Sequence, residues 1–540
     1  MKINSLNSAY NFRGATINLN AFSDVHGHIE KTDSAYQALV KNKALAGKKQ
    51  GANFIINAGD WFVSKGNIDF KDKKEKSFTD YQLLMYNKFI ETIRKKYPNT
   101  KTVFVPASHE FDGGEELFNK LLKETDSRFV SANLDFSVSP TVTSEDSSDK
   151  LTNSTIDFVP DDKNPDVLYP ILNIGVSPLN IKSYSGRMSR IYTSPNQIVN
   201  EKHYLMTLQA VESIVEDFKS KYPNGIVVVT CHTRTDFAKN LAENSDIDII
   251  FNSHEKPGSE KIGRTQIVNL SKDFDRISNV KITIDDDGKI SDTEIKDLYP
   301  SKEHSRRPGA IGKYFNKLFG NETKKTHTLV CIDKSINNLN TDGIKTGNNN
   351  LANFVTDILL YQIKKRDPDV DIFAINSSSI KDGFNLAKGQ NTSNIDILNC
   401  LTGISSPQGE IYTTKISGVE LAEFILTNLL NNLVDEEKNP IMQYAGIKIN
   451  KTGMLKDYLS GKNFNDLCRH ITLKKSGRMV ISEGSYKIAN TLKHFQKAED
   501  DGNGILFGRS KATGYRLHDL FREYFEKHEP VIFNTEKRIY

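Results

Sequence analysis

Ala21-Phe22-Ser23-Asp24-Val25-His26 is an apolar run that stops abruptly on a carboxylate and an imidazole two residues apart. Four further runs end in the same manner: Ile56-Asn57-Ala58-Gly59-Asp60, Val105-Pro106-Ala107-Ser108-His109-Glu110, Val229-Thr230-Cys231-His232 and Ile250-Phe251-Asn252-Ser253-His254. Ligands of one ion converge from distant parts of a chain, and in α/β sheets the carboxyl ends of adjacent strands are where that happens. The pattern predicts a metallohydrolase site assembled at strand ends.

The intervals between these runs carry helical signals. Asp33–Asn42 has helical periodicity, Phe78–Tyr97 is amphipathic and closed by Pro98, and Glu115–Glu124 follows the strand-like Thr102–Val105. Further on, Pro170–Val176, Ile226–Thr230 and Ile247–Phe251 read as strands around a helix near Met206–Lys221, with a hairpin turned by Asp286-Asp287-Gly288. Residues 137–165, rich in Ser, Thr, Asp, Asn and Pro, read as a surface excursion. Alternating strands and helices predict a layered α/β domain over 1–300. Residues 301–325, with Arg306-Arg307-Pro308-Gly309, read as a linker, and 326–540 as a second domain.

Composition agrees with two globular domains. At 540 residues the chain exceeds what one core supports. Its 72 basic and 68 acidic residues are interleaved and sum to a net charge of +4, too weak a field to recruit a nucleic acid polymer. Cys231, Cys331, Cys400 and Cys468 stand apart and read as reduced thiols. No apolar run reaches signal-sequence or membrane-span length, so a cytoplasmic location is expected.

Asp24 and His26 flank a strand-to-loop corner that can turn both toward one ion. Gly59 permits the bend that presents Asp60 as a bridging carboxylate, and His232 and His254 offer imidazoles. Mixed carboxylate and imidazole donors suit Mn, Fe, Zn, Co or Ni rather than calcium. A lone Asp-X-His or Gly-Asp is ordinary turn chemistry. Five endings in order, each after an apolar run, are what single out a metal site.

These segments resemble the calcineurin-like metallophosphoesterases, and more narrowly the 5′-nucleotidase family. The resemblance rests on Phe22-Ser23-Asp24-Val25-His26-Gly27-His28, Asn57-Ala58-Gly59-Asp60, Ser108-His109-Glu110-Phe111-Asp112 and Val130-Ser131-Ala132-Asn133-Leu134. In the second half, Asn349-Asn350-Leu351-Ala352-Asn353 looks like the family's Gly-Asn-Leu helix. Phe373-Ala374-Ile375-Asn376-Ser377-Ser378-Ser379-Ile380-Lys381 resembles its Asn-Gly-Gly-Ile-Arg loop, and Ile416-Ser417-Gly418-Val419-Glu420-Leu421 its Thr-Gly-X-Glu-Leu segment. The resemblance implies a four-layer αββα sandwich followed by an α+β substrate-binding domain, one or two divalent metal ions, and a small phosphorylated substrate.

Carried over by position, it implies a first metal site of Asp24, His26, Asp60 and His254, and His109 with Asp112 as the catalytic pair. The second site would keep Asp60 and His232, with Ser108 and Asn252 standing where the family has an amide and an imidazole. That exchange favours weaker binding and harder cations, Mn or Mg. Asn376 and Lys381 occupy substrate-contact positions, Lys381 replacing an arginine fork with a point charge. The family's base-stacking aromatics are absent from Ser406-Pro407 and from Asp501-Gly502-Asn503-Gly504-Ile505, leaving Phe507 or Tyr412 to compensate, with Asn503 as a further substrate-contact candidate. The expected activity is phosphomonoester hydrolysis on nucleotides or similar esters. A phosphodiesterase, or a metal-binding scaffold whose chemistry has decayed, stands as the alternative.

Overall fold

The computed structural model describes residues 14–47, 51–63, 67–68, 76–111, 114–134, 151–162, 164–179, 201–253, 256–285, 287–300, 308–319, 326–331, 338–339, 341, 343–345, 347–380, 384–385, 391–393, 400–401, 409–434, 441–491, 510–527, 531–533 and 538–539. The chain divides into two compact units, Met1–Val63 with Phe78–Leu318, and Ser64–Ser77 with Phe319–Tyr540.

In the first unit the strands are β1 (Thr16–Phe22), β2 (Ala52–Asn57), β3 (Thr100–Phe104), β4 (Arg128–Val130), β5 (Leu151–Thr152), β6 (Ser154–Pro160), β7 (Leu168–Val176), β8 (Ile226–Cys231), β9 (Ile249–Asn252), β10 (Gly258–Ile262), β11 (Thr265–Asn269), β12 (Ile277–Ile284) and β13 (Ile290–Leu298). They form two sheets, ordered β13-β12-β1-β2-β3-β4-β5 and β10-β11-β9-β8-β7-β6. Strands β1, β2 and β3 run parallel, as do β7, β8, β9 and β11. Within each sheet the carboxyl ends of these strands therefore lie at the same end.

The sheets pack face to face through Leu19, Phe54, Ile56, Val105, Ile171, Val228 and Phe251. Helices α1 (Thr32–Lys41), α2 (Phe78–Lys96) and α3 (Gly114–Glu124) belong to the first sheet's outer side, where Tyr86 meets Phe104 and Phe118 meets Phe129. Helices α4 (Glu201–Lys221) and α5 (Thr235–Asn244) cover the second sheet through Val211, Val215, Phe237 and Leu241. The result is the expected α-β-β-α layering. Because both faces of the inner strands are covered, Ile226–Cys231 is buried at every position rather than at alternate ones.

One expectation is corrected. Residues 154–160, read as part of a surface excursion, form edge strand β6, paired antiparallel with β7 from Ser154 to Pro160. As an edge it exposes Ile156 and Phe158, which blurred the alternation that marks a half-buried strand. The stretch read as a linker carries helix α6 (Ala310–Phe319). Asp33 accepts the Gly309 and Gly312 N–H groups, at 3.1 and 2.9 Å, satisfying donors at that helix's start.

The second unit is built on a five-stranded sheet. Its strands are β14 (Ile372–Asn376), β15 (Glu410–Ser417), β16 (Met442–Ala445), β17 (Ser485–Thr491) and β18 (Lys511–Arg516), in the order β16-β14-β17-β15-β18. Side chains alternate along β14: Phe373 and Ile375 pack with α7 (Asn350–Lys364) and α9 (Leu517–Lys527), while Ile372 and Ala374 pack with α8 (Gly418–Val434). Asn349 caps α7, its side chain accepting from the Ala352 N–H at 3.0 Å. Among the described residues no helix is long and apolar enough to cross a membrane.

Candidate metal centre

The loops leaving β1 and β2 are zipped together beyond the sheet edge. The N–H groups of Asp24, His26 and Gly27 donate to the carbonyls of Gly59, Asp60 and Trp61, at 2.9, 2.9 and 3.2 Å. Holding that register turns Asp24, His26 and Asp60 into the left-handed region, with φ of 51°, 47° and 55°. Each such residue costs on the order of 1–3 kcal/mol and persists only where its surroundings over-determine it. Gly59 is required by close approach: at φ 96°, a Cβ there would lie 2.3 Å from the Ala107 Cβ and 2.8 Å from the Val105 carbonyl.

The loop after β3 is fastened to the same turn. Glu110, fully buried, accepts the N–H groups of Asp60, Phe62 and Ala107 at 2.9, 3.1 and 2.8 Å. Burial, and then the neighbouring Asp60 charge, push its carboxyl up to about 7. The His109 N–H donates to Asp60 Oδ1 at 2.8 Å, and the Ser108 hydroxyl lies 3.4 Å from both Asp60 oxygens.

Three imidazoles converge on these carboxylates. His232 donates from Nδ1 to the Ala58 carbonyl at 2.6 Å, which leaves Nε2 facing Asp60 Oδ2 at 3.3 Å and Asp24 Oδ1 at 3.9 Å. His26 bonds Asp273 through Nδ1 at 3.0 Å and points Nε2 at Asp24 and Asp60, 3.7 and 3.8 Å away. The His109 ring meets that of His26 edge-on, centroids 5.3 Å apart. Two overlapping groups result, His26 with Asp60 and His109, and Asp24 with Asp60 and His232. In each, the potential ligand atoms lie within 4.8 Å of one another, and Asp60 belongs to both.

Charge is concentrated here. Burial would lower the His26 imidazole, but Asp273, Asp60 and Asp24 outweigh it and carry it up to about 9. Burial opposes ionisation of His232 as well, yet Asp60 and Asp24 lift it to about 10. Asp60 sits well below the carboxylate range because His232 and His109 overcome its burial. A buried cluster of carboxylates and imidazoles that holds its charges this tightly is a donor set suited to a divalent cation of borderline character.

Of the residues singled out in the sequence, Asp24, His26, Asp60, His109, Ser108 and His232 come together. His109, expected as a catalytic group, lies within ligand reach of His26 and Asp60. Asn252 ends β9, fully buried; it accepts from the Thr233 hydroxyl at 3.4 Å and donates to Asn269 at 3.3 Å. Asn376 ends β14 in the second unit, and the Tyr412 hydroxyl bonds Glu410 at 3.2 Å. Asp112, His254, Lys381, Asn503 and Phe507 lie outside the described residues.

Sequence reasoning missed Asp273 and the structural task of Glu110. Asp273 follows β11 in Leu270-Ser271-Lys272-Asp273, a sixth strand end of the kind that marks the others. Asp273 and Phe274 both have positive φ, 57° and 56°. Phe274 is fully buried against Phe22, Trp61 and Phe89, with ring centroids 4.9, 5.5 and 6.1 Å away. Burying one such ring contributes roughly 1.5–3 kcal/mol, which offsets much of the strain beside it.

Comparison with known proteins bears on the fold that carries this cluster. Residues 17–257 match the family model described as calcineurin-like phosphoesterase. The chain is similar in structure to a 5′-nucleotidase precursor from Thermus thermophilus, with a TM-score of 0.65 and 14% identity over 97% of this chain and 99% of that one. It is similar to a putative 5′-nucleotidase from Staphylococcus aureus, TM-score 0.58, 14% identity, over 97% and 99% of the two chains. The sulfate thiohydrolase SoxB from Thermus thermophilus shares the architecture at a TM-score of 0.61 and 14% identity, over 98% and 97%. No curated protein matches the chain. The strand-edge cluster of carboxylates and imidazoles thus lies within the stretch that matches the calcineurin-like phosphoesterase family, on a fold shared almost end to end with 5′-nucleotidase structures.

Proposed function

We propose that the chain hydrolyses phosphomonoesters of the 5′-nucleotide type, or other small phosphate esters, with a divalent metal held by Asp24, His26, Asp60 and His232. The observation that carries this reading is the placement of Asp60, whose carboxylate belongs to both ligand groups and takes the His109 N–H on Oδ1. A cation bound there would supply Lewis-acid polarisation of the phosphoryl oxygens.

The remaining work falls to the chain's own groups. Asp24 and Asp60 offer carboxylate oxygens, and His26 and His232 turn Nε2 toward them. His109, partly exposed, would donate to a phosphoryl oxygen or protonate the departing alkoxide, a role its contact with the His26 ring supports. Asn376 and Lys381 are proposed as substrate contacts of the second unit, with Asn503 and Phe507 in support. The shared architecture of two nucleotidase structures supports the nucleotide class.

The test is a panel of nucleoside monophosphates, an aryl phosphate and an aryl phosphodiester, assayed with Mn, Mg, Co, Ni, Fe and Zn. His109→Ala should lower turnover by about 100-fold or more with metal content unchanged. Hydrolysis by His109→Ala at the wild-type rate would rule out the assigned role. A preference for the diester would move the activity to the phosphodiesterase class.

A further inference from the structure

The two ring nitrogens of His26 face different surroundings. Asp273 Oδ1 stands 3.0 Å from Nδ1, on the side of the ring opposite Asp24 and Asp60. His232, by contrast, has its Nδ1 set by the neutral Ala58 carbonyl.

The Asp273 loop is itself fixed from three directions. Its backbone N–H donates to the Asp24 carbonyl at 2.6 Å, tying the loop to the residue two before His26. Lys31 Nζ donates to the Asp273 carbonyl at 2.6 Å and to Asp275 Oδ1 at 2.9 Å. Phe274, next in the chain, is locked in the aromatic cluster below. These anchors use the main chain of Asp273 and the side chains of its neighbours. The Asp273 carboxylate is thereby left to face His26, with His28 Nε2 farther off at 3.9 Å.

We propose that Asp273 is a positioning residue that fixes the tautomer and orientation of His26, so that Nε2 presents its lone pair to the metal, and thereby sets the affinity of the ion that His26 ligates. An ionised carboxylate only accepts, so it draws the ring proton to Nδ1, leaves the lone pair on Nε2 and increases the ring's basicity. Without the partner, the ring would rotate about its side-chain torsions or bind through the wrong nitrogen. The role rests on the metal-dependent reading above, and concerns how tightly one ion is held rather than which ester is cut.

The experiment measures Mn binding to full-length protein by competition with a chromophoric chelator, together with the visible spectrum of the Co form. Asp273→Asn and Asp273→Ala are compared with wild type and with Lys31→Met, which removes a loop anchor but leaves the Asp273 carboxylate in place. Outer-shell partners of this kind typically govern roughly 10–100-fold in affinity. Asp273→Ala should therefore bind Mn about 10–100-fold more weakly, with an altered Co spectrum, and Asp273→Asn, which keeps an acceptor oxygen, should fall between. Lys31→Met should stay near wild type.

Wild-type Mn affinity in either folded Asp273 variant would overturn the proposal. So would an equal loss in Lys31→Met, which would assign the effect to loop anchoring. Failure of Asp273→Ala to fold leaves the near-isosteric Asp273→Asn to decide. Absence of metal binding by the wild-type protein would instead defeat the metal-dependent reading itself, and the role with it.

Discussion

Asp60 Oδ1 accepts the backbone N–H of His109 at 2.8 Å, so the loop after β3 is docked directly onto the carboxylate shared by both ligand groups. Its other oxygen lies 3.3 Å from His232 Nε2. An amide at this position could keep the bond to His109 only by turning its NH2 toward the imidazoles, and an NH2 cannot ligate a cation. Asp60→Asn should therefore lose the bound metal while remaining folded. Metal content after gel filtration, read beside a thermal melt, checks this; an Asp60→Asn protein that carries the full complement would show that the centre lies elsewhere.

The two raised histidines set a pH dependence with a definite sign. In the folded, metal-free protein His26 and His232 hold protons up to about 9 and about 10, although burial opposes it. In the unfolded chain they release them near ~6.5. The folded state binds more protons in that window, so their stabilisation is complete below about pH 6.5 and is lost as pH rises toward 9–10. Metal-free protein should melt at progressively lower temperature from about pH 7 to about pH 10. Metal-loaded protein should show less of this slope, because ligating imidazoles are neutral, and loading at about pH 7 should release about two protons. Calorimetry in buffers of different ionisation enthalpy measures that release, and a value near zero would refute the assignment of these two ligands.

Much of this site was legible because strand ends are marked by chemistry that cannot be hidden. Asp24, His26, Asp60, His109 and His232 each follow an apolar run, and the parallel strands β1, β2 and β3 of one sheet, with β8 of the other, bring those residues together. Asp273 obeys the same rule at the end of β11, but its partner His26 is 247 residues away, and only the folded register reveals that pairing. Strand β6 was obscured by its edge position, where Ile156 and Phe158 face outward among polar neighbours. Glu110 is visible in the motif, yet nothing in the sequence says that it serves three backbone donors from two loops.

Glu110 accordingly answers to a simple substitution. Its Oε2 accepts from Asp60 and Ala107 and its Oε1 from Phe62, all buried. In Glu110→Gln the oxygen can serve the pair, but the NH2 then confronts the Phe62 N–H, donor against donor. A buried donor left unpaired costs about 1–3 kcal/mol, so the variant should be destabilised by that amount in urea unfolding. Asp60 should also be less firmly held, giving weaker metal binding than wild type. Unchanged stability together with unchanged affinity would show that the three bonds contribute nothing beyond solvent.

The second metal position that the family resemblance implies, with Ser108 and Asn252, offers its own test. Ser108 reaches Asp60 only at 3.4 Å, and Asn252 is engaged with Thr233 and Asn269. A hydroxyl and an amide in these places are poorer donors for a borderline cation than an imidazole. Wild-type protein should thus retain about one tightly bound ion per chain, with a second taken up only at higher Mn concentration. The double variant Ser108→Asn with Asn252→His would supply the amide and the imidazole that the family resemblance implies at these two positions. It should raise tight binding toward two ions, and turnover with it if both share the charge of the phosphoryl group. Metal stoichiometry after dialysis separates the outcomes: two ions already tight in the wild type would show that Ser108 and Asn252 are adequate ligands, and one ion in the double variant would show that more than these two side chains has changed.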